Sequence, residues 1–429
     1  MKKAISLAMA ALMTMSVVMT GCGNSGANGS GSESSSGAEA ASGDKVLKVA
    51  VGCNLTGTGA KAGAGFQTAT EMALEDIDYK IGDYTIKPIY VDLTDDPEKG
   101  ALALEQSIVK DGAQVCMQGW FTTIALTSMD VVAKYKVPYL FNYGAGVALD
   151  EKYEADPEYY SYYIAKTFPT TDFIAEEYRD IIDAAFENGS ITGDKKIAIY
   201  GEDTDWGHSI GSNFEKYFGE AGYDIVYDEY FQAGTTDFYA ILSKIKESGA
   251  NVVGGTINTP ATAAAFLKQA NEIGLDAQII CHSLNENADW QSLCGDAAEG
   301  VLDMMAVYVD DRGAEFEKAF KEKAGYDASI ACEGVAYDCA KMTFAALQAC
   351  YDEYGVLDTD TFYKFGSEEI ATGKWVYDDS ITQTCYKWEE GKISPVVGED
   401  AFYNCLAQVQ NGEMVVVWPE NRAKAEAKF

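Results

Sequence analysis

Histidine and cysteine often bind metals or act as nucleophiles, and their pattern in this sequence suits neither role. His208 and His282 are the only two histidines, which argues against a zinc enzyme or a histidine-dependent hydrolase. The ten cysteines contain no Cys-x-x-Cys pair, and the sequence has neither a His-Glu-x-x-His motif nor a phosphate-binding P-loop. We therefore predict no metal site, no cofactor and no catalytic residue, and an enzyme is the least favoured class of function.

Four of the cysteines allow a structural prediction. Cys53 and Cys116 lie in apolar, strand-like runs and are predicted to be buried as small hydrophobic side chains. Cys281 and Cys294 flank one predicted loop and could form a disulfide, which their spacing alone does not establish.

The charge balance excludes one class of partner. Asp and Glu number 67 against 32 Lys and Arg, for a formal net charge of −35. A surface of this sign cannot neutralise phosphates, so the protein is not expected to bind nucleic acid. The hydrophobic fraction of 47% over 429 residues is enough for two or three domains with ample cores.

The first 22 residues have the pattern of an export signal. Lysines at positions 2 and 3 precede a mainly apolar run at 4–19, which is shorter than the roughly 20 apolar residues of a membrane-spanning helix. The run ends in Thr-Gly-Cys22, which resembles the bacterial lipobox, whose cysteine becomes the acylated N-terminus. We predict a signal peptide at 1–21 and lipidation of Cys22; an ordinary signal peptide with an incidental cysteine is the alternative.

A flexible tether is predicted after that cysteine. Every residue from 23 to 43 is Gly, Ser, Ala, Asn or Glu, a composition that buries nothing and stays flexible. A lipid on Cys22 and a tether at 22–43 would hold the folded body at the extracytoplasmic face of the cell membrane.

The body of the chain alternates between strand-like and helix-like segments. Residues 46–51 and 85–91 have the β-branched pattern of strands, and 65–78 has the pattern of a helix between them. A second series of the same kind begins near residue 171. After residue 375 the chain becomes rich in strand candidates, and Asn411-Gly412 predicts a hairpin between the last two. The predicted fold class is α/β, with two lobes that each contain a mostly parallel sheet flanked by helices.

Several segments carry a family resemblance between residues 46 and 418. The sharpest are Thr-Asp-Phe-Tyr-Ala-Ile-Leu at 236–242 and Gly-Asp-Ala-Ala-Glu-Gly-Val at 295–301. In this order and spacing they resemble the type I periplasmic substrate-binding proteins of ABC importers, of the leucine/isoleucine/valine-binding kind. The resemblance implies two lobes joined by hinge crossovers. Lobe 1 then comprises residues 44–165 and 304–375, and lobe 2 comprises residues 166–303 and 376–429.

The resemblance also implies a ligand site in the cleft between the lobes, on loops that follow strands. Members of the family hold the ligand carboxylate with hydroxyls and backbone N–H groups at a helix N-terminus. The matching residues here are Trp120, Thr122 and Thr123, although either threonine could be a plain helix cap. The next family loop matches Asn142, Gly144 and Gly146, for which a tight glycine turn is the alternative.

Lobe 2 provides the remaining candidates. Trp206 stands where relatives have a tyrosine that stacks on the ligand, with packing in the core as the alternative. Asn258 and Thr259 follow a predicted strand. In amino-acid-binding relatives an acidic residue pairs with the ligand ammonium, and Ser283 stands near that position here. Either Glu286 takes that role or the contact is missing.

These features predict an extracytoplasmic solute-binding lipoprotein, monomeric, that captures a small polar molecule and delivers it to the permease of an ABC transporter. A branched-chain or other amino acid is the expected ligand; an amide, a urea-like compound or a carboxylate also fits Thr, Asn and Trp. The alternative function is a ligand-sensing extracellular module of the same fold.

Overall fold

Two β-sheets organise residues 45–429, the part of the chain that the computed structural model describes. The predicted signal peptide, the lipidation of Cys22 and the tether all lie outside the described residues. The described residues contain no helix that is both long and apolar enough to cross a membrane.

The first sheet has six strands in the order β2-β3-β1-β4-β5-β6, and all pairs except β2–β3 are parallel. Its strands are β1 (Lys45–Cys53), β2 (Lys80–Ile81), β3 (Tyr84–Asp92), β4 (Val115–Gln118), β5 (Tyr139–Phe141) and β6 (Tyr163–Lys166). The helices between them are α1 (Ala60–Asp76), α2 (Pro97–Val109), α3 (Thr122–Tyr135) and α4 (Val147–Ala155).

The second sheet has seven strands in the order β13-β12-β11-β10-β9-β7-β8. Its strands are β7 (Lys196–Glu202), β8 (Asp224–Phe231), β9 (Val252–Thr256), β10 (Gln278–His282), β11 (Leu302–Met305), β12 (Cys405–Gln410) and β13 (Glu413–Trp418). The helices in this part are α5 (Asp172–Glu187), α6 (Asp205–Glu220), α7 (Tyr239–Ser248), α8 (Pro260–Glu272) and α9 (Trp290–Cys294). Strands β7 to β11 pair in parallel, whereas β12 and β13 are antiparallel.

The chain returns to the first sheet between β11 and β12. This return forms α10 (Arg312–Ala324), α11 (Val335–Tyr354) and α12 (Thr359–Phe365), and α11 packs on α1 and β4. The predicted α/β fold with two sheets is confirmed. The predicted hairpin is also confirmed, because Asn411 and Gly412 both have positive φ, at 55° and 79°, and join β12 to β13.

Both faces of each sheet are covered, as the apolar strands require. In β1, Val49 and Val51 face the core formed with α1 and α11, whereas Ala50 between them packs against the helices of the opposite face. In β7, the side chains of Ile199 and Tyr200 likewise pack in two separate hydrophobic cores, one on each face of the sheet. The loops that follow the carboxyl ends of the parallel strands lie at the edges of the sheets, where open α/β sheets bind their ligands.

A buried carboxylate fixes the last crossing from the first sheet to the second. Asp338 of α11 is fully buried and accepts hydrogen bonds from the Ser380 hydroxyl and from the backbone N–H groups of Ile381 and Thr382, at 2.5, 2.8 and 2.9 Å. The Thr382 hydroxyl donates to it as well. The Asp338 side chain thus fixes the turn at residues 380–382, which lies in the segment that leads to β12.

Nine cysteines lie among the described residues, all of them buried and none in a disulfide. Cys53 and Cys116 are completely buried on β1 and β4, as predicted. The disulfide considered between Cys281 and Cys294 is not formed; both side chains pack instead in the hydrophobic core around α8.

Candidate functional site

A cavity of about 340 Å³ lies between loops from the two sheets. From the first sheet it is lined by the starts of α1 and α3, and from the second by the segments that follow β7, β9 and β10. These segments follow the carboxyl ends of parallel strands, where open α/β sheets bind their ligands. The volume lies within the usual range for small-molecule sites.

Seven of the eleven residues predicted for the site line this cavity: Trp120, Thr122, Thr123, Trp206, Asn258, Thr259 and Glu286. They come from both sheets, so the cavity is bounded on opposite sides by residues far apart in the chain. The other four, namely Asn142, Gly144, Gly146 and Ser283, are not among its lining residues.

The N-terminus of α3 is the part of the first-sheet wall best suited to an anion. Thr122 and Thr123 are the first two residues of α3, and no side chain caps this end of the helix. The Thr122 hydroxyl accepts a hydrogen bond from the Gly146 N–H at 3.2 Å, which leaves its own hydrogen free to donate. Uncapped N–H groups and the positive end of the helix dipole together favour a carboxylate at this point.

On the opposite wall, some backbone N–H groups at or just before the N-termini of α6 and α8 donate to side chains of this protein. At α6 the Thr204 hydroxyl accepts from the Gly207 N–H at 3.0 Å. At α8 the carboxylate of Glu202 accepts from the N–H groups of Asn258 and Thr259 at 3.1 and 3.3 Å. The N-terminus of α3 has no side-chain cap and, with Thr122 and Thr123, adds two hydroxyl groups to the cavity wall, so it offers both N–H and O–H donors to a ligand.

Aromatic rings form much of the apolar surface. Trp120 stacks on Phe121 with ring centroids 4.7 Å apart and planes inclined by 16°. Trp206 lies on the wall formed by the second sheet, partly buried, and its Nε1–H donates to the Thr256 hydroxyl at 3.0 Å. This hydrogen bond orients the Trp206 ring, so the cavity has flat apolar surfaces on both sides.

Glu286 brings an unpartnered carboxyl oxygen to the cavity. It ends a short 3-10 turn, Leu284–Glu286, that follows β10, and its buried Oε2 has no hydrogen-bond partner within residues 45–429. Burial, reinforced by the negative charge of Asp303, raises the pKa of Glu286 to about 8. A carboxyl group in this state gains most from a positively charged ligand group.

Glu333 is a second carboxyl group on the cavity wall. It belongs to the π-helical turn Ile330–Gly334, is only 3% exposed, and accepts a hydrogen bond from the Ser329 N–H at Oε2, 2.8 Å away. Burial raises the pKa of Glu333 to about 7. Glu333 lies beside α1 because the segment between β11 and β12 returns to the first sheet.

The two walls touch each other across the cleft. The ammonium of Lys61 in α1 forms an ion pair with Asp289, which precedes α9. The Ser329 hydroxyl, on the first-sheet side, donates to the Asn285 carbonyl at 2.6 Å. These contacts join the two walls at the edge of the cavity.

Ser283 supports the loop that carries Glu286 and does not line the cavity, contrary to the prediction. It has a positive φ of 73°, and its N–H donates to the buried carboxylate of Asp303 at 3.1 Å. The N–H of Asn285 donates to the same carboxylate at 2.8 Å. Asp303, whose pKa burial raises to about 7, therefore fixes the turn just before Glu286.

The loop after β5 also plays a supporting part. The Asn142 carbonyl oxygen accepts from the Thr167 hydroxyl at 2.7 Å, away from the cavity. The Gly144 N–H donates to the Trp120 carbonyl at 3.2 Å, and the Gly146 N–H is occupied by Thr122. These three residues were predicted to contact the ligand, but they lie behind the cavity wall, where Thr167, Trp120 and Thr122 bond the Asn142 oxygen and the two glycine N–H groups.

Several lining residues were not predicted, among them Lys61, Phe121, Glu202, Asp289 and Glu333. Glu333 did leave a signal in the sequence, since it is one acidic residue within an otherwise apolar and small run, Ile-Ala-Cys-Glu-Gly-Val, at 330–335. Glutamate is seldom fully buried unless it has a partner, so a single glutamate in such a run is unusual.

The segment Gly207-His208-Ser209-Ile210-Gly211 matches the Gly-x-Ser-x-Gly pattern of serine hydrolases, but its geometry does not fit one. A nucleophilic serine of that kind stands exposed on a sharp strand-to-helix turn. Ser209 instead lies inside α6, is 5% exposed, and its hydroxyl accepts from the Val147 N–H at 3.1 Å. It links α6 to α4 and has no catalytic setting.

Gly65 in α1 makes room for the carboxyl group of Glu333. A Cβ added at Gly65 would lie 2.6 Å from Glu333 Cγ and 2.9 Å from its Cδ. We expect Gly65→Ala to lower the free energy of unfolding by roughly 1–3 kcal/mol, measured by urea denaturation, because the carboxyl group must move. Gly219→Ala in α6 is the control, since no atom lies within 4 Å of the added Cβ. Equal effects of the two variants would contradict this packing argument.

Comparisons with known proteins agree with this geometry. The family model described as periplasmic binding protein matches residues 46–372. Leu/Ile/Val-binding protein homolog 8 of Brucella abortus is 28% identical over 282 residues, which cover 62% of this chain and 66% of that protein. The match thus spans just under two thirds of that relative. Homolog 1 of the same species is 24% identical over 380 residues, or 84% of this chain and 93% of that protein.

Solved structures share the fold at low identity. A putative branched-chain amino acid ABC transporter protein from Silicibacter pomeroyi superposes with a TM-score of 0.73 at 18% identity, covering 90% of this chain and 99% of that one. A solute-binding protein from R. palustris, in complex with 4-hydroxybenzoate, gives 0.68 at 20% identity, covering 90% and 98%. The family match extends over most of the chain and includes strands of both sheets, up to β11. The chain therefore belongs to the periplasmic binding protein family, whose members bind solutes and are not enzymes.

Proposed function

We propose that this protein captures an amino acid in the cavity between its two sheets and delivers it to the permease of an ABC transporter. The observation that carries the proposal is the presence, in one cavity, of the uncapped N-terminus of α3 and of the carboxyl group of Glu286, whose buried Oε2 has no hydrogen-bond partner among residues 45–429. An α-amino acid carries a carboxylate and an ammonium on the same carbon atom; the carboxylate complements the N-terminus of α3 and the ammonium complements Glu286.

The relative position of the two features supports an α-amino acid. Trp120 is one of the side chains that lower the pKa of Glu286, and both residues line the cavity. Glu286 therefore lies near the start of α3, which Trp120 and Phe121 precede. A ligand carboxylate at Thr122 and Thr123 would bring its α-ammonium towards Glu286. The names of the Brucella relatives, which refer to leucine, isoleucine and valine, point to the same class of ligand.

The delivery step and the membrane location rest on the family and on the sequence. Solved structures of similar fold are described as ABC transporter proteins, which supports a permease partner. The lipid anchor at Cys22 and the monomeric state stay predictions from the sequence. A lipid on that cysteine would keep the cavity close to a membrane-bound permease.

An aromatic carboxylate is the second candidate ligand. It is favoured by the aromatic rings of Trp120, Phe121 and Trp206 around the cavity and by the R. palustris structure that contains 4-hydroxybenzoate. Glu286 and Glu333 count against it, since an aromatic acid has no group to neutralise them.

Thermal unfolding of the full-length protein with individual amino acids and with 4-hydroxybenzoate separates the candidates. We expect an amino acid to raise the melting temperature, because a ligand that binds only the folded state stabilises it. Thr123→Ala should weaken that ligand's affinity roughly 10-fold or more in calorimetric titration, the usual cost of losing a hydrogen bond to a charged group. Thr192→Ala, at an exposed position outside the cavity, should change nothing.

The outcomes differ clearly. A shift with 4-hydroxybenzoate and none with any amino acid would replace the first candidate by the second. Full affinity in Thr123→Ala would remove the N-terminus of α3 from the site.

A further inference from the structure

We propose that the ligand carries a second cationic group and that Glu333 holds it, so that basic amino acids are preferred over neutral ones. This inference rests on the proposed amino-acid function and narrows its ligand. Five carboxyl groups line the cavity, and three of them are bonded within the chain: Asp95 to Thr58, Glu202 to Asn258 and Thr259, and Asp289 to Lys61. The inference starts from the other two, Glu286 and Glu333, because an α-ammonium accounts for only one of them.

Glu333 has no cation of its own. Among the described residues that line the cavity, Lys61 is the only basic one, and it forms its ion pair with Asp289 across the cleft. Its charge lowers the pKa of Glu333 less than the Ser329 N–H does, and the two side chains form no ion pair. Glu333 receives a hydrogen bond from the Ser329 N–H at Oε2, and its other oxygen lies against Gly65, where the lack of a side chain admits it. A buried carboxyl group held in this way is costly unless a positive group joins it.

The cavity walls suit a cationic side chain of the ligand in addition to its α-ammonium. Trp120, Phe121 and Trp206 present aromatic faces in the cavity, and such faces attract lysine-like and arginine-like groups. A leucine side chain would instead bury its methyl groups against the carboxyl of Glu333 and leave that group without a partner.

A purely structural role for Glu333 is distinguishable from a ligand contact. The bond from Ser329 closes the turn Ile330–Gly334, and a glutamine can accept the same bond through its side-chain carbonyl. Glu333→Gln therefore preserves the turn and removes the negative charge. If Glu333 only stabilises the turn, this variant leaves the choice of ligand unchanged.

The test uses calorimetric titration of the full-length protein with two matched pairs, L-lysine with L-norleucine and L-arginine with L-citrulline. Within each pair the ligands have closely similar shapes and differ in the charge of the side chain. We expect at least one basic ligand to bind about tenfold or more tightly than its neutral partner, because the neutral one leaves a buried carboxyl group unpaired. In Glu333→Gln that ratio should fall to about 1.

Glu322→Gln serves as the control, because Glu322 is exposed on α10 and lies outside the cavity. It should keep the ratio of the unmodified protein. Equal binding of both members of each pair by the unmodified protein would overturn the inference and leave the amino-acid function intact. An unchanged ratio in Glu333→Gln would also overturn it. If no amino acid bound at all, the proposed function itself would fail.

Discussion

Glu286→Gln should remove most of the affinity for an amino acid. The substitution keeps the shape of the side chain but takes away the charge that would pair with the α-ammonium. Removing one partner of a buried charge pair usually costs about 2–5 kcal/mol, which corresponds to roughly 30-fold to several thousand-fold in the dissociation constant. Calorimetric titration of both proteins with the amino acid that gives the largest thermal shift measures this loss.

The pH dependence provides an independent check on the same side chain. Burial raises the pKa of Glu286 to about 8, so the empty site is mostly protonated at pH 6 and becomes ionised as the pH rises towards 8. An ammonium prefers the ionised form, and the affinity of the unmodified protein should therefore increase over this range. Glu286→Gln should lose most of that increase and keep only the part that Glu333, whose pKa burial raises to about 7, contributes with a basic ligand. Glu247→Gln, exposed on α7, should keep all of it. A variant Glu286→Gln with unchanged affinity and pH profile would exclude the ammonium contact.

Asp338→Asn should cause the largest loss of stability among the single changes considered. Its carboxylate accepts from two backbone N–H groups and two hydroxyls in the segment 380–382. The amide of asparagine turns one acceptor into a donor, so at least one of these buried groups loses its partner. We expect the free energy of unfolding to fall by roughly 3 kcal/mol, measured by urea denaturation.

Asp276→Asn is the matched control for this measurement. Asp276 is exposed and lies between α8 and β10, so its substitution should change the free energy of unfolding by no more than about 0.5 kcal/mol. Similar stability of the two variants would show that the turn after residue 379 does not depend on Asp338.

Sequence reasoning was most successful where a site residue depends on its immediate neighbours. Trp120, Thr122 and Thr123 follow a strand and begin a helix, and this local order is enough to place them at the edge of a parallel sheet. Asn258 and Thr259 were found for the same reason. The α/β class itself follows from the alternation of strand-like and helix-like segments, which local patterns record well.

Prediction was weaker where position depends on contacts between distant segments. Gly146 and Ser283 lie on correct loops, but their N–H groups bond to Thr122 and Asp303, and no local pattern reveals those partners. Glu333 reaches the cavity only because α11 packs on α1, more than 250 residues away in the chain. Its contribution could not be derived without the folded arrangement.

The nine buried cysteines have a consequence for how this body holds together. Burial raises the pKa of the Cys53 and Cys116 thiols, so few of them exist as the reactive thiolate at neutral pH. With no cross-link between cysteines in residues 45–429, the cohesion of this region comes from packing, hydrogen bonds and ion pairs. Its folding then needs no oxidant or disulfide isomerase, and the same structure is available in reducing and oxidising surroundings.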